Sequence, residues 1–416
     1  MPENLCYAQS GGVTAVINTS AAAVISAASA HSQIGRVFAA KNGILGVLHE
    51  ELIETWRENK TEQSLLSQTP GGAFGSCRVK LPPPEKDAEI YRRLMAVFRA
   101  HRIRYFLYNG GNDSADTALK LSAAGKRHGW ELCCIGIPKT IDNDLSATDS
   151  CPGFGSAAKY IAVSAAETAR DVASMARTST KVFILEVMGR NAGWLAAAGG
   201  LAAEEDGGAV LVVPPETPFR RAHFAAALRR RVRRCGYAVV VVSEGARDGR
   251  GNFLSAAKTK DAFSHPQLGG VALYFAAIAQ DAGFKCHWSV ADYLQRSARH
   301  IASETDAAHA TALGAAAVRL AAEGKNGTAP VIRRLAGDSY RWKVETAPLK
   351  NIANRERALP AGFYDRENYR ITPACRRYLS PLIRGEAPSV YGKNGLPRHA
   401  RLKNILAPKK LPLWRA

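Results

Sequence analysis

Six short apolar runs, at 5–8, 105–108, 132–137, 182–187, 210–213 and 237–242, each lead into a turn and then a helix-like stretch. Runs of this length without polar alternation read as strands buried on both faces, and the strand, turn, helix rhythm is that of a parallel sheet covered by helices. An α/β fold follows. The 416 residues leave room for two or three domains with a large core, and 46% hydrophobic with 22% charged residues is ordinary for a soluble globular chain. No apolar run approaches a membrane span, and Met1-Pro2-Glu3-Asn4 has neither the basic start nor the small-residue cleavage site of an export signal. A cytoplasmic location is expected. The eight cysteines are scattered, with Cys133 and Cys134 adjacent in an apolar run, and read as buried free thiols in a reducing compartment.

In an open α/β sheet the ligand sits outside the carboxyl ends of the strands, so the residues that follow each run are where chemistry is sought. After 5–8 comes Gln9-Ser10-Gly11-Gly12-Val13-Thr14-Ala15, and after 105–108 comes Asn109-Gly110-Gly111-Asn112-Asp113-Ser114. Both are glycine turns opening a helix, where bare backbone N–H groups and the positive end of the helix dipole can cradle a phosphate. A glycine pair alone signals no more than a tight turn. After 132–137 comes Pro138-Lys139-Thr140-Ile141-Asp142-Asn143-Asp144. In an extended segment residues two apart point the same way, so Asp142 and Asp144 are expected to address one small volume while Asn143 turns elsewhere. One carboxylate is then a base and the other handles metal or substrate. A helix-capping turn is the competing reading of an Asp-Asn-Asp triplet taken by itself.

The formal charge of +20 admits polyanions or small phosphorylated substrates as partners. Much of it lies in Arg229, Arg230, Arg231, Arg233 and Arg234, and in a tail after Glu386 that has Lys393, Arg398, Arg401, Lys403, Lys409, Lys410 and Arg415 but no acidic residue. These clusters carry few aromatics and match no nucleic-acid module, so a solvated helix face and a basic tail are expected in place of a nucleic-acid surface. Beyond about 330 the periodicity weakens, and Pro348, Pro360, Pro373, Pro381, Pro388, Pro397, Pro408 and Pro412 favour loops wrapping the body.

The ordered set Gly11-Gly12, Gly-Gly-Asn-Asp-Ser at 110–114, Pro-Lys-Thr-Ile-Asp-Asn-Asp at 138–144, Pro-Gly-Phe-Gly-Ser at 152–156, Met-Gly-Arg at 188–190, Ser-Glu-Gly at 243–245 and Tyr-Leu-Gln-Arg at 293–296 closely resembles the phosphofructokinase family. The resemblance implies two Rossmann-like, three-layer α/β domains with mostly parallel sheets and an active site in the cleft between them. Residues 1–155 with about 295–345 would form the phosphoryl-donor domain, and 156–294 with about 346–416 the sugar-phosphate domain with its basic C-terminal extension. It also implies magnesium-dependent phosphoryl transfer to the 1-hydroxyl of fructose 6-phosphate, in glycolysis and gluconeogenesis, by a homodimer or homotetramer. Asp142 corresponds to the proton acceptor, with Asp144 in support. Thr140, Ile141 and Asp142 would touch the sugar near the transferred group, while Met188, Gly189, Arg190, Glu244, Tyr293, Leu294, Gln295 and Arg296 would hold its phosphate and hydroxyls. Gly12 corresponds to the glycine whose backbone meets the donor phosphate, and Arg78 to an arginine that neutralises charge developing between the phosphoryl groups.

The donor is read from Asp113 and Lys139. ATP-using members resemble Gly-Gly-Asp-Gly-Ser at the second glycine turn and have glycine in the place of Lys139. A carboxylate at Asp113 adds bulk and repels an α-phosphate, and Lys139 sets a point charge where pyrophosphate develops negative charge. Both are the residues of pyrophosphate-dependent members. Two departures stand out. Asn112 replaces an aspartate that many members use for magnesium, so the cation would be held mainly by pyrophosphate, with Asn112 direct or through water. Ala291-Asp292 precedes Tyr293 where the family often has leucine and glycine. Lys285 and Arg177 are further candidate phosphate contacts, Arg177 across a subunit interface. The alternatives are an ATP-dependent enzyme, an acceptor range widened to sedoheptulose 7-phosphate, or a non-catalytic protein that senses phosphate or binds nucleic acid and has no use for a base.

Overall fold

In the computed structural model, which describes residues 2–203, 208–260 and 266–414, the chain is built on two sheets. Strands Glu3–Gln9 (β1), Ile34–Ala40 (β2), Leu52–Glu54 (β3), Ile103–Gly110 (β4) and Cys133–Pro138 (β5) begin a seven-stranded sheet. Val182–Val187 (β6), Val210–Val213 (β7) and Ala238–Ser243 (β8) follow, then a hairpin of Ala256–Lys260 (β9) and Pro266–Leu268 (β10), then Cys286–Val290 (β11). Thr328–Arg334 (β12) and Trp342–Pro348 (β13) return the chain to the first sheet, and Tyr364–Asp365 (β14) pairs with Arg370–Ile371 (β15). The large sheet has the order β13-β12-β5-β4-β1-β2-β3, antiparallel only at its two edge strands. The other, β11-β6-β8-β7, is parallel throughout.

Helices Ile17–Ser29 (α1), Ile44–Leu48 (α2), Lys60–Leu66 (α3), Ala88–Ala100 (α4) and Asn112–Arg127 (α5) go with the first five strands. Phe154–Met175 (α6), Trp194–Gly199 (α7), Arg221–Cys235 (α8), Val271–Asp281 (α9), Asp292–Ser297 (α10), Glu304–Ala322 (α11) and Pro373–Leu379 (α12) complete the chain. Strand side chains alternate between two helical layers, which is why the runs are apolar without a break. Cys6, Ala8, Phe106, Tyr108 and Cys134 pack under α4 and α5, whereas Leu5, Tyr7, Leu107 and Ile135 pack under α1 and α11. In the second sheet Leu185, Val187, Val239 and Val241 meet α6 and α7, and Val182, Ile184, Val240 and Val242 meet α8 and α9. Two three-layer α/β units result, as the motifs led one to expect. All eight cysteines are free, seven of them buried.

Strand register positions the site. Gln9 pairs with Asn109 and Gly110 with Pro138, so β1, β4 and β5 end in line and release the two glycine turns and the Lys139 segment at one edge. Val187 pairs with Ser243 and Glu186 with Val290, which brings Met188 to Arg190, Glu244 and α10 together at the edge of the other sheet.

Three expectations need correction. Arg231 is not on a solvated face: it is buried and donates to the carbonyls of Gly208 (2.6 Å), Val210 (3.3 Å) and Asn368 (3.3 Å). The region beyond 330 is not only loop, since most of β12 and all of β13 lie there as an antiparallel pair extending the large sheet. The basic tail does not go wholly with the second sheet. Its residues near 400–411 run along β3, where Ala407 N–H donates to Leu52 O (2.7 Å) and Ile405 O accepts from Glu54 N–H (2.9 Å).

Candidate active site

A cavity of about 530 Å³ is lined by the residues that follow the strands of both sheets. The first unit supplies Gly12, Arg78, Asn112, Asp113, Lys139, Thr140, Ile141, Asp142 and Asp144, and the second Met188, Arg190, Glu244, Tyr293 and Arg296. Gly189, Leu294 and Gln295 stand behind the wall. Gly189 has φ +126°, and its carbonyl accepts the Ser243 hydroxyl (2.5 Å). Gln295 is buried, its Oε1 accepting Met188 N–H (3.2 Å) and its Nε2 donating to Asp292 O (2.9 Å), so it shapes the cavity wall from outside. Leu294 is exposed. Lys285 donates to Ser179 Oγ (3.2 Å), and neither it nor Arg177 lines the cavity.

Lys139, the first residue after β5, is buried, and its ammonium donates to Ser10 O (2.8 Å) and Gly12 O (2.5 Å). The first glycine turn is thereby bound to the carboxylate-bearing one. Two of the three ammonium donors are used and the third is left for an anion. Burial, and next the positive charge of Arg296, lowers Lys139 to about 7, with Asp142 pulling the other way. Gly11 has φ +74°, a conformation that needs glycine. At Gly12 a Cβ would stand 3.1 Å from Arg296 Nη1 and 3.9 Å from Arg78 Nη2, so the bare backbone lets guanidinium groups from both units approach one point.

Asp142 and Asp144 share the cavity by a different geometry from the extended one expected. Asn143 lies between them at φ +52°, in the left-handed region, so the three residues form a turn. Asn143 is fully buried; its Nδ2 donates to Tyr378 Oη (3.1 Å) and its Oδ1 accepts from Cys151 N–H (3.0 Å). Turned into the protein, it leaves both carboxylates facing out. Burial, followed by the negative charge of Glu244, lifts Asp142 to about 6; burial, followed by Asp142 itself, lifts Asp144 to about 7. The two titrate as a pair. Glu244 is likewise lifted to about 7 by burial, against the pull of Arg190. Carboxylates raised toward neutrality in a cleft are suited to take a proton at physiological pH.

Asp113, in the first turn of α5, pairs with Lys80 (3.2 Å). Asn112 is bonded to one backbone at both ends of its amide: Nδ2 donates to Arg355 O (3.0 Å) and Oδ1 accepts from Arg355 N–H (3.3 Å). One lone pair of Oδ1 remains for a cation or its water. Among the described residues no group of three or more His, Cys, Asp or Glu is placed to hold a metal.

Sequence reasoning missed Asn191 and Glu356 as cavity residues, and did not assign Asp292 to the site. Asp292 had a signal: it has φ +33°, at the position where the resemblance calls for glycine. Glu356 had none, because it lies in the aperiodic stretch beyond 330.

The phosphofructokinase family pattern matches residues 4–321. A protein of Xanthomonas campestris pv. campestris named pyrophosphate–fructose 6-phosphate 1-phosphotransferase is 56% identical, over 99% of this chain and 99% of its own length. One of Halomonas elongata with the same name is 53% identical over 98% of each. A crystal structure described as pyrophosphate-dependent phosphofructokinase from Nitrosospira multiformis superposes with a TM-score of 0.92 at 50% identity, covering 99% of this chain and 100% of that one. Two three-layer units with their strand ends on one cavity, and motifs matched over most of the length, leave one assignment: the chain belongs to the phosphofructokinase family.

Proposed function

We infer that this protein reversibly transfers a phosphoryl group from pyrophosphate to the 1-hydroxyl of D-fructose 6-phosphate, giving fructose 1,6-bisphosphate and phosphate. Relatives 53% and 56% identical carry the name of that activity. The observation that carries it to this chain's own residues is the half-buried pair Asp142 and Asp144, in one cavity with Lys139 and Asp113. In this reading the seven-stranded unit takes the donor and the four-stranded unit the sugar phosphate.

Asp142 accepts the proton of the 1-hydroxyl, and the oxygen so released attacks phosphorus in line as the bridging P–O bond of pyrophosphate breaks. Asp144 shares the proton. Phosphoryl transfer asks mainly for alignment and for neutralisation of charge on the leaving phosphate, which Lys139, Arg78 and the backbone of Gly12 supply. Arg190 and Arg296 suit the distal phosphate of the sugar, and Glu244 its hydroxyls. Asp113 sets a carboxylate where a nucleotide's α-phosphate would lie, which favours pyrophosphate over ATP. A magnesium ion fits as a companion of the donor: with no protein cage, its ligands would be pyrophosphate oxygens, water and the open lone pair of Asn112, and it would supply charge neutralisation. The reaction exchanges two phosphate derivatives of similar transfer potential, so it would run in either direction of glycolysis. No helix among the described residues is long and apolar enough to cross a membrane, which agrees with a cytoplasmic setting. Assembly as a dimer or tetramer is supported by Trp288 and Val290, 45% and 43% exposed on the edge strand β11.

The test is an aldolase-coupled assay with fructose 6-phosphate and magnesium, comparing pyrophosphate with ATP, beside an Asp142→Ser control. Activity with pyrophosphate alone, abolished in the control, is expected. Activity with ATP alone would overturn the donor, and activity surviving in Asp142→Ser would overturn the base.

A further inference from the structure

The stretch 354–357 lies beyond the family match, which ends at residue 321, yet it is bonded to residues on both sides of the cavity. Asn354 Nδ2 donates to Asp116 Oδ1 (2.9 Å) and the backbone of Arg355 holds Asn112, so the stretch is tied to the start of α5 on the donor side. Glu356 lines the cavity, accepts from Asn191 Nδ2 (3.3 Å) on the sugar side, and forms an antiparallel bridge with Leu145. Arg357 follows directly.

The guanidinium of Arg357 is spent on one loop. Its Nε and Nη2 donate to Asn143 O (3.2 and 2.9 Å), and its Nη1 to Thr148 O (2.9 Å) and Asp149 O (2.8 Å). Its backbone N–H donates to Asp144 O (2.6 Å). The guanidinium also lies over Trp194 (4.8 Å), whose Nε1 donates to Arg357 O (3.0 Å), so the arginine is itself fixed at both ends. The loop it grips contains two non-glycine residues with positive φ, Asn143 at +52° and Ala147 at +64°. Backbone in that region persists only where the surroundings over-determine it. A planar fork that collects three carbonyls at once does so; a lysine, with one point of charge, cannot span them.

We propose that Arg357 is the positioning residue of the catalytic turn, holding Asn143 left-handed so that Asp142 and Asp144 face the same substrate atoms. The proposal rests on the phosphotransferase reading only for which turn is catalytic. It is tested with Arg357→Ala and Arg357→Lys in the full chain, by steady-state kinetics and by amide hydrogen exchange of peptides covering 141–150. A misplaced reacting group loses on the order of 100-fold in rate, so kcat should fall by about that factor in both variants while KM for pyrophosphate and for fructose 6-phosphate stays within about threefold. Added guanidinium should restore part of the activity of Arg357→Ala and none in Arg357→Lys. Exchange at 143–149 should accelerate at least tenfold, with β6 unchanged. Wild-type kcat and unaltered exchange in both variants would overturn the proposal, as would a uniform loss of protection across the protein with no rescue, which marks a general stabiliser. If the wild type lacks phosphotransferase activity, the functional reading fails by itself and the exchange of 143–149 still decides the role of Arg357.

Discussion

In the proposed transfer Asp142 and Lys139 have opposite requirements, and both are shifted toward neutrality. The base must be deprotonated. Because burial lifts the pair Asp142 and Asp144 to about 6 and 7, kcat/KM should fall tenfold per pH unit below that range. Lys139 must be protonated, and because burial lowers it to about 7, the free enzyme should lose its donor-binding cation above that pH. The expected profile of kcat/KM for pyrophosphate is a narrow bell near neutral pH. In the profile of kcat the alkaline limb should lie higher, since a bound anion favours charged lysine. Lys139→Met should remove the alkaline limb and leave the acid one, and an acid limb below pH 5 in the wild type would contradict the raised pair. Asp113 offers a second check at this scale. Asp113→Gly removes a carboxylate and its bulk from the start of α5 and releases Lys80, so ATP should become a usable donor, with the ratio of ATP to pyrophosphate kcat/KM rising at least tenfold. An unchanged ratio would show that something other than Asp113 excludes nucleotides.

The catalytic turn leans on helix α6, and α6 leans on one carboxylate from α11. Asp306 accepts from the N–H groups of Gly153 (3.0 Å) and Ser156 (2.9 Å) and from Ser156 Oγ (2.6 Å), satisfying the buried start of α6 from outside. Gly153 also bridges to Thr140, and Thr140 N–H donates to Pro152 O (3.3 Å), so the cap and the catalytic segment are adjacent. Asp306→Ala would leave three donors without partners in a dry place, at about 3 kcal/mol. Urea unfolding should show a lower midpoint at unchanged slope, with Asp306→Asn intermediate; an unmoved midpoint would mean that water reaches this helix end. Elements of this kind were unevenly legible. The buried strands at 5–8, 105–108 and 182–187 announced themselves because burial on both faces leaves no polar alternation. Ile34–Ala40 and Trp342–Pro348 did not, because glycine, arginine, lysine and glutamate interrupt them where one side meets solvent.

Across the molecule, the tail closes the exposed edge of the large sheet. Beside its two backbone bonds to β3, Glu50 accepts from Lys410 N–H (2.7 Å) and Leu411 N–H (3.2 Å), and Glu58 accepts from Lys403 N–H (2.8 Å) and Asn404 N–H (2.7 Å). By its charges the tail is expected to be a basic tail and not a nucleic-acid surface; its backbone serves as edge cover, which a sheet needs against pairing with other chains. A chain cut after Leu396 should unfold at lower urea, by about 3 kcal/mol or more from the stranded acceptors alone, and self-associate in light scattering. Full stability and a wild-type particle size would make the cover dispensable. The sequence alone determined the α/β class, the two glycine turns and the paired carboxylates, because strand burial and turn chemistry are local and leave a local pattern. Only the tertiary structure decided that Lys139 is bonded to Ser10 and Gly12, that Asn143 is left-handed, and that Glu356 lines the site. Each depends on contacts between positions more than a hundred residues apart, where neither periodicity nor a motif leaves a mark.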